Sequence, residues 1–180
     1  YMITNCVELQ DMQTELSASY ILANDIDCSD TVSWNVGQGF QPVGRLWLDP
    51  DLTFHGSLDG QGHIITDLYI ERPGTARIGL FGYTSGGATI ENLGLENAHV
   101  IGTLHAGCLT GVNSGTISNV YVTGLIEAND HTLGAIASTN NGEIIDCFSL
   151  ANVDGGGQAG GLVGYNNGLI RNSYSGGNVI

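Results

Sequence analysis

Apolar and polar positions recur along this chain with a long period. Four segments align: Ala88-Thr89-Ile90-Glu91-Asn92-Leu93, Gly115-Thr116-Ile117-Ser118-Asn119-Val120, Gly142-Glu143-Ile144-Ile145-Asp146-Cys147 and Gly168-Leu169-Ile170-Arg171-Asn172-Ser173. Their isoleucines, at 90, 117, 144 and 170, lie 27, 27 and 26 residues apart, and Ile65-Thr66-Asp67-Leu68 reads as an earlier copy 25 residues before the first. A second motif keeps the same phase: Gly79-Leu80-Phe81-Gly82, Cys108-Leu109-Thr110-Gly111, Ala135-Ile136-Ala137-Ser138 and Gly161-Leu162-Val163-Gly164. Two motifs advancing together establish an internal repeat. Each repeat holds three short apolar stretches, such as Ile117–Val122, Leu125–Ala128 and Leu133–Ala137, with Gly and Asn between them. None is long enough for the helix of a helical repeat, and the leucine-rich framework is absent. The pattern predicts an all-β chain: a right-handed parallel β-helix with three short strands per coil of about 26 residues, stacked at roughly 4.8 Å per coil.

The first third reads differently. Val7, Leu9, Met12 and Leu16 have mixed helical spacing, with Asn5 as N-cap and Glu8 three residues on, which predicts a short helix. A strand follows over Tyr20–Asp27, then a loop from Cys28 to Asp51 that holds Trp34 and Trp47. The division is therefore 1–53, capping helix, first strand and loop, and 54–180, one continuous stack of coils with the first full coil beginning near Phe54. Open strand edges at the ends of such a stack invite pairing, and the helix is placed to cover the N-terminal one. The chain stops at Gly177-Asn178-Val179-Ile180, part-way through a coil. The expectation is that the natural protein continues, or that the open coil joins another copy into a fibre or surface layer.

Stacking turns each repeat position into a column along the rod. Asp67, Asn92, Asn119, Asp146 and Asn172 form a predicted polar ladder at a turn, whose ordinary role is to satisfy backbone groups at the bend. Leu68, Leu93, Val120, Cys147 and Ser173 are assigned inward, with Ile70, Leu95, Val122, Ser149 and Ser175 beside them. Alternation then turns Tyr69, Gly94, Tyr121, Phe148 and Tyr174 outward. Tyr121, Phe148 and Tyr174 make an outer aromatic strip, either a stiffening stack or a surface for a sugar or protein partner. Asp67 and Asp146, three coils apart, would stand about 14 Å from one another, beyond the carboxylate separations of glycosidases. No column is read as supplying clustered acids, so no catalytic residues are assigned and the chain is expected not to be an enzyme. A polysaccharide-acting β-helix enzyme ranks behind display and self-assembly.

Charge narrows the partners. Eighteen Asp and Glu stand against four Arg (Arg45, Arg72, Arg77 and Arg171) and no Lys, a net charge of −14. That balance repels nucleic acid and anionic membranes. Twenty-eight glycines with only three prolines fit short strands and tight turns, and no stretch is long and apolar enough to span a bilayer. No cofactor is implied. Asp25, Asp27 and Asp30, with Asp49 and Asp51, are a candidate set of oxygen ligands for a structural calcium. Cys6 and Cys28 flank one helix-then-strand unit and are a candidate disulfide, which would place the chain in an oxidising compartment. Cys147 falls in an apolar column and reads as a buried free thiol, and no Cys108–Cys147 bridge is expected.

The stretch Gly161-Leu162-Val163-Gly164-Tyr165-Asn166-Asn167-Gly168, followed by Ile170-Arg171-Asn172-Ser173-Tyr174-Ser175, resembles the GLUG repeat of bacterial surface proteins. The segment from Phe54 to Ile65 resembles the coil that precedes such repeats, and Tyr20–Cys28 resembles the strand leading into it. The pattern departs at Ala135-Ile136-Ala137-Ser138. The resemblance implies an adhesin-like segment of a secreted or surface-anchored bacterial protein. Its partners would be other domains of that protein, host or matrix glycans or proteins, or copies of itself. Similar repeats accompany immunoglobulin-cleaving metallopeptidases. Those need His-Glu-x-x-His, and none of His55, His63, His99, His105 or His131 is followed by Glu.

Overall fold

The computed structural model describes residues 1–45, 49–128 and 131–180. Trp47 lies outside the described residues. The chain winds into a parallel β-solenoid of about four turns with a short N-terminal helix. Its strands form three sheets. The widest stacks Met2–Ile3, Ser19–Leu22, Ser57–Asp59, Thr89–Gly102, Thr116–Ala128, Glu143–Ile145 and Leu169–Arg171 in that order, and shorter strands pair along its far side. The other two are four-stranded: Arg77–Ile78, His105–Ala106, Thr132–Gly134 and Gln158–Gly160, then Phe81–Thr84, Thr110–Asn113, Ala137–Asn140 and Val163–Asn166. The pairings among these strands are parallel, with Ile90, Ile117, Ile144 and Ile170 in one column; one register shift falls between Val122 and Gly124.

The wide sheet turns corners within its long strands. In Thr89–Gly102 the backbone passes through left-handed φ at Asn92 (54°) and Asn97 (53°). Asn119, Asp146 and Asn172 repeat the first of these bends at 52°, 54° and 51°. Asn and Asp tolerate this region because their short polar side chains bond locally, and side chains on either side of each bend still point inward.

The sheet begins at Met2, not near Phe54. Met2–Ile3 pairs with Ser19–Leu22, which pairs with Ser57–Asp59, so one ladder of backbone hydrogen bonds crosses the proposed boundary at 53. The stretch read as a single strand over Tyr20–Asp27 is two strands, Ser19–Leu22 and Ile26–Asp27, separated by a corner. The helix Cys6–Asp11 is capped as its sequence requires. The Asn5 side chain accepts from Glu8 N at 3.0 Å, and Glu8 Oε2 accepts from Thr4 N at 2.7 Å and from Thr4 Oγ1 at 2.8 Å. Leu9 and Met12 bury completely. Cys6 is joined to Cys28 by a disulfide, which ties the helix to the end of the first coil.

The core is a column of aliphatic and aromatic side chains, with Phe40, Phe54 and Phe81 fully buried and the last two rings 4.7 Å apart. One column is polar, buried at Thr84, Asn113 and Asn140 and exposed at Asn166. Thr84 Oγ1 donates to Asn113 Oδ1 at 2.8 Å, Asn113 Nδ2 to Asn140 Oδ1 at 2.8 Å, and Asn140 Nδ2 to Asn166 Oδ1 at 2.7 Å. Each amide also closes its own turn, as Asn113 Oδ1 does by accepting from Gly115 N at 3.1 Å. Sequence reading passed over this ladder, although Asn113-Ser114-Gly115, Asn140-Asn141-Gly142 and Asn166-Asn167-Gly168 repeat in phase.

Two outcomes follow for equilibrium denaturant melts. Asn140→Ala breaks the ladder at its centre and leaves buried partners under-bonded, so it is expected to cost about 2–3 kcal/mol. Replacing Cys6 and Cys28 together by Ser opens a cross-link of sequence separation 22 and is expected to cost about 3 kcal/mol.

Candidate functional site

The outer aromatic strip is a continuous stack. Gly94, Tyr121, Phe148 and Tyr174 occupy one register column. The Tyr121 and Phe148 rings lie 5.2 Å apart and the Phe148 and Tyr174 rings 5.4 Å apart, each pair tilted by only 7°. At the lower end Tyr121 leans over Gly94, where a Cβ would fall 2.6 Å from the Tyr121 ring carbon Cζ and 2.7 Å from Ile64 Cγ2. The Tyr121 hydroxyl donates to Glu96 Oε1 at 2.6 Å. The facing sides of the three rings are therefore turned toward one another, while Tyr174, on the last coil, is 60% exposed. Tyr69 is not in this column; it pairs with His99.

The turn ladder also differs in its first member. Ile65 pairs with Leu95, not with Ile90, and the residue beneath Glu91 is Asp59. The first coil holds extra residues at its Gln61-Gly62 turn, so the match of Ile65-Thr66-Asp67-Leu68 to Ile90-Glu91-Asn92-Leu93 was one bend out of step. Asn119 Nδ2 donates to Asn92 Oδ1 at 2.9 Å, and Asn92 Nδ2 to Asp59 Oδ1 at 3.0 Å. Asn172 Nδ2 donates to Asp146 Oδ1 at 3.0 Å. Asp67 sits at the next corner, where Asn97 Nδ2 donates to its Oδ1. Of the inward residues, Leu68, Leu93, Val120 and Cys147 are buried, while Ser173, on the last coil, is half-buried.

Around that second corner lies a groove of about 540 Å³ between the short turn Ser29–Ser33 and the sheet. Leu68 and Ala98 line it as buried residues, and Val32, Tyr69, His99 and Leu125 line it from more exposed positions. The Tyr69 and His99 rings meet edge to face at 5.6 Å. The Tyr69 hydroxyl donates to Glu71 Oε2 at 2.6 Å, and His99 Nε2 bonds Glu127 Oε2 at 2.6 Å. One column does hold neighbouring acids: Glu71, Ile101, Glu127 and Asp154 are in register, with Glu127 directly beside Asp154. Glu127 and Asp154 lie 27 residues apart, the plain repeat spacing, so this column corrects the expectation that no column holds clustered acids.

The candidate calcium ligands are not gathered. Asp25 Oδ1 accepts from His63 Nδ1 at 3.0 Å and from Ile64 N at 3.1 Å, and Asp27 Oδ1 from Ser29 N at 2.8 Å. These bonds hold both carboxyls below the usual carboxylate range. Asp49 Oδ1 accepts from Asp51 N at 3.1 Å. Among the described residues no three or more His, Cys, Asp or Glu are grouped to hold a metal. Cys108 and Cys147 are buried free thiols; burial pushes Cys108 up to about 12 and Cys147 upward as well.

With this geometry in hand, likeness to known proteins can be weighed. No protein-family model matches the chain. Over 156 residues, 84% of its length, it is 38% identical to Halomucin of Haloquadratum walsbyi. Over 127 residues, 68% of its length, it is 32% identical to a protein of Evansella cellulosilytica named as a Gly-rich membrane protein. The chain spans only 2% of the first and 14% of the second. Among solved structures, one described as an immunoglobulin A1 protease from Bacteroides ovatus superposes with a TM-score of 0.81 at 26% identity, over 98% of this chain and 57% of that one. The solenoid is thus shared along nearly the whole length.

The two tethered phenols make a pH prediction. The bond to Glu71, then burial, pushes Tyr69 up to about 12; burial, then the bond to Glu96, does the same for Tyr121. An unfolded tyrosine ionises near ~10, so between these values the unfolded chain binds fewer protons and stability falls as pH rises. Burial raises Tyr20 as well, so phenolate absorbance is expected to show three late-titrating tyrosines, and Glu71→Gln is expected to move one of them toward the ordinary value.

Proposed function

We propose that this chain is a non-catalytic structural segment of a secreted or cell-surface protein, presenting a rigid acidic rod for contact with a protein or glycan partner. The observation that carries the reading is the occupation of the surface by ladders. Aromatic faces and corner amides are engaged with their neighbours along the rod, and the acids that adjoin lie on an open sheet face. A general acid gains its strength from burial or from a close like charge in a water-poor site. Glu71 and Asp154 are exposed and Glu127 is half-buried on an open sheet face, where water competes for every proton. The GLUG resemblance, and relatives named as a mucin and as a membrane protein, support placement at the cell surface. The solved neighbour's protease description covers a longer chain, of which this one spans 57%.

The test is turnover. The purified chain is incubated with a panel of neutral and acidic polysaccharides and with immunoglobulin A, and cleavage products are quantified beside Glu127→Gln. No product above the blank from either protein is the expected result. Product formed by the native chain and lost in Glu127→Gln would make the acidic column an active site.

A further inference from the structure

We propose that the groove at the Tyr69–His99 corner docks a basic side chain, Arg or Lys, from an extended segment of a partner protein. The inference rests on the display reading and names the chemistry of the partner. Its volume, about 540 Å³, falls within the range of small-ligand sites, enough for one long side chain and its flanking backbone. The walls are the Tyr69 ring and the aliphatic Val32, which is 57% exposed on the facing turn. An aromatic ring beside an aliphatic wall suits the methylene stem and the cationic head of such a side chain.

Asp67 is the lining carboxylate, and Glu71 and Glu127 stand beside the groove, bonded to the lining Tyr69 and His99. Asp67, Glu71 and Glu127 each receive one protein hydrogen bond, on Oδ1, Oε2 and Oε2 respectively. The second oxygen of each has no donor among the described residues. No arginine lines the groove, and Arg72, on the neighbouring strand end, is committed to Phe40 O, Gly39 O and Gln38 Oε1. An anionic ligand would meet uncompensated repulsion here. A guanidinium or ammonium, which only donates, matches these free carboxylate oxygens. The net charge of −14 draws such a partner toward the rod before contact.

The probe is an acetylated, amidated Gly-Arg-Gly-Arg-Gly peptide, titrated calorimetrically at low salt against the native chain and two double variants. Asp67→Asn with Glu127→Gln removes one charge that lines the groove and one beside it; Asn is well suited to the left-handed φ of 57° at position 67. Glu91→Gln with Glu143→Gln removes the same charge elsewhere. Native binding that weakens about three- to tenfold in the groove variant, changes less than twofold in the control variant, and is absent for the citrulline version of the peptide supports the proposal. No binding by the native chain, equal weakening in both variants, or equal binding of the citrulline peptide overturns it. Preferential binding of a neutral oligosaccharide in the same groove overturns it too, while leaving the display reading intact.

Discussion

In-register parallel stacking sets each side chain beneath its counterpart one coil on, about 4.8 Å away, so every column has to tolerate its own repetition. Amides do this well, because each presents a donor to one neighbour and an acceptor to the other. Asn113, Asn140 and Asn166 make such a chain along the rod, and Asn92 and Asn119 make one at its corner. Carboxylates do not, because an ionised Asp only accepts. Asp59 therefore forms the bottom of one corner ladder, and Asp146, which receives from Asn172 but has no proton to pass to Asn119, begins another. Where acids do adjoin, at Glu127 and Asp154, they stand where water screens them and His99 supplies a donor.

The same constraint shapes the exposed aromatic column. Parallel rings spaced by the coil repeat stack in an offset arrangement that their quadrupoles favour. The stack needs a base, and Gly94 provides one by leaving room for Tyr121 to settle over it against Ile64. Glu96 then fixes the phenol. Of the two sequence readings of the strip, a stiffening stack or a partner surface, the ring-on-ring geometry fits the first.

The architecture was legible because two motifs advanced in phase across four copies, and the capping of the first helix followed from Asn5 and Glu8. The first coil was misread. Its coil is longer: Leu58 lies 32 residues before its partner Ile90, and Ile65 lies 30 before Leu95. Matching by residue type paired Ile65 with Ile90 and carried Asp67 and Tyr69 into the wrong columns. Period alone cannot register a coil that holds extra residues, because the hydrogen-bond ladder absorbs them at a turn without disturbing the strands on either side. That slip hid the pairing of Tyr69 with His99 at the groove, whereas Glu127 and Asp154 keep the plain period and were legible.

The place where periodicity fails is also where chemistry can gather. Asn97 has no counterpart in the next coil, because the register shifts between Val122 and Gly124; its backbone N–H is taken by Thr123 Oγ1 at 2.9 Å instead of by a ladder carbonyl. The turn Ser29–Ser33 rises beside this irregular corner, fixed to the sheet by Thr31 Oγ1, which accepts from Tyr69 N at 2.9 Å. A perfectly repeating rod has flat faces, and its columns satisfy one another. An extra residue on one strand and an added turn beside it produce a concavity. Acceptors around that concavity are only half satisfied. A solenoid can thus keep its strength in the columns that repeat and its selectivity in the one coil that does not.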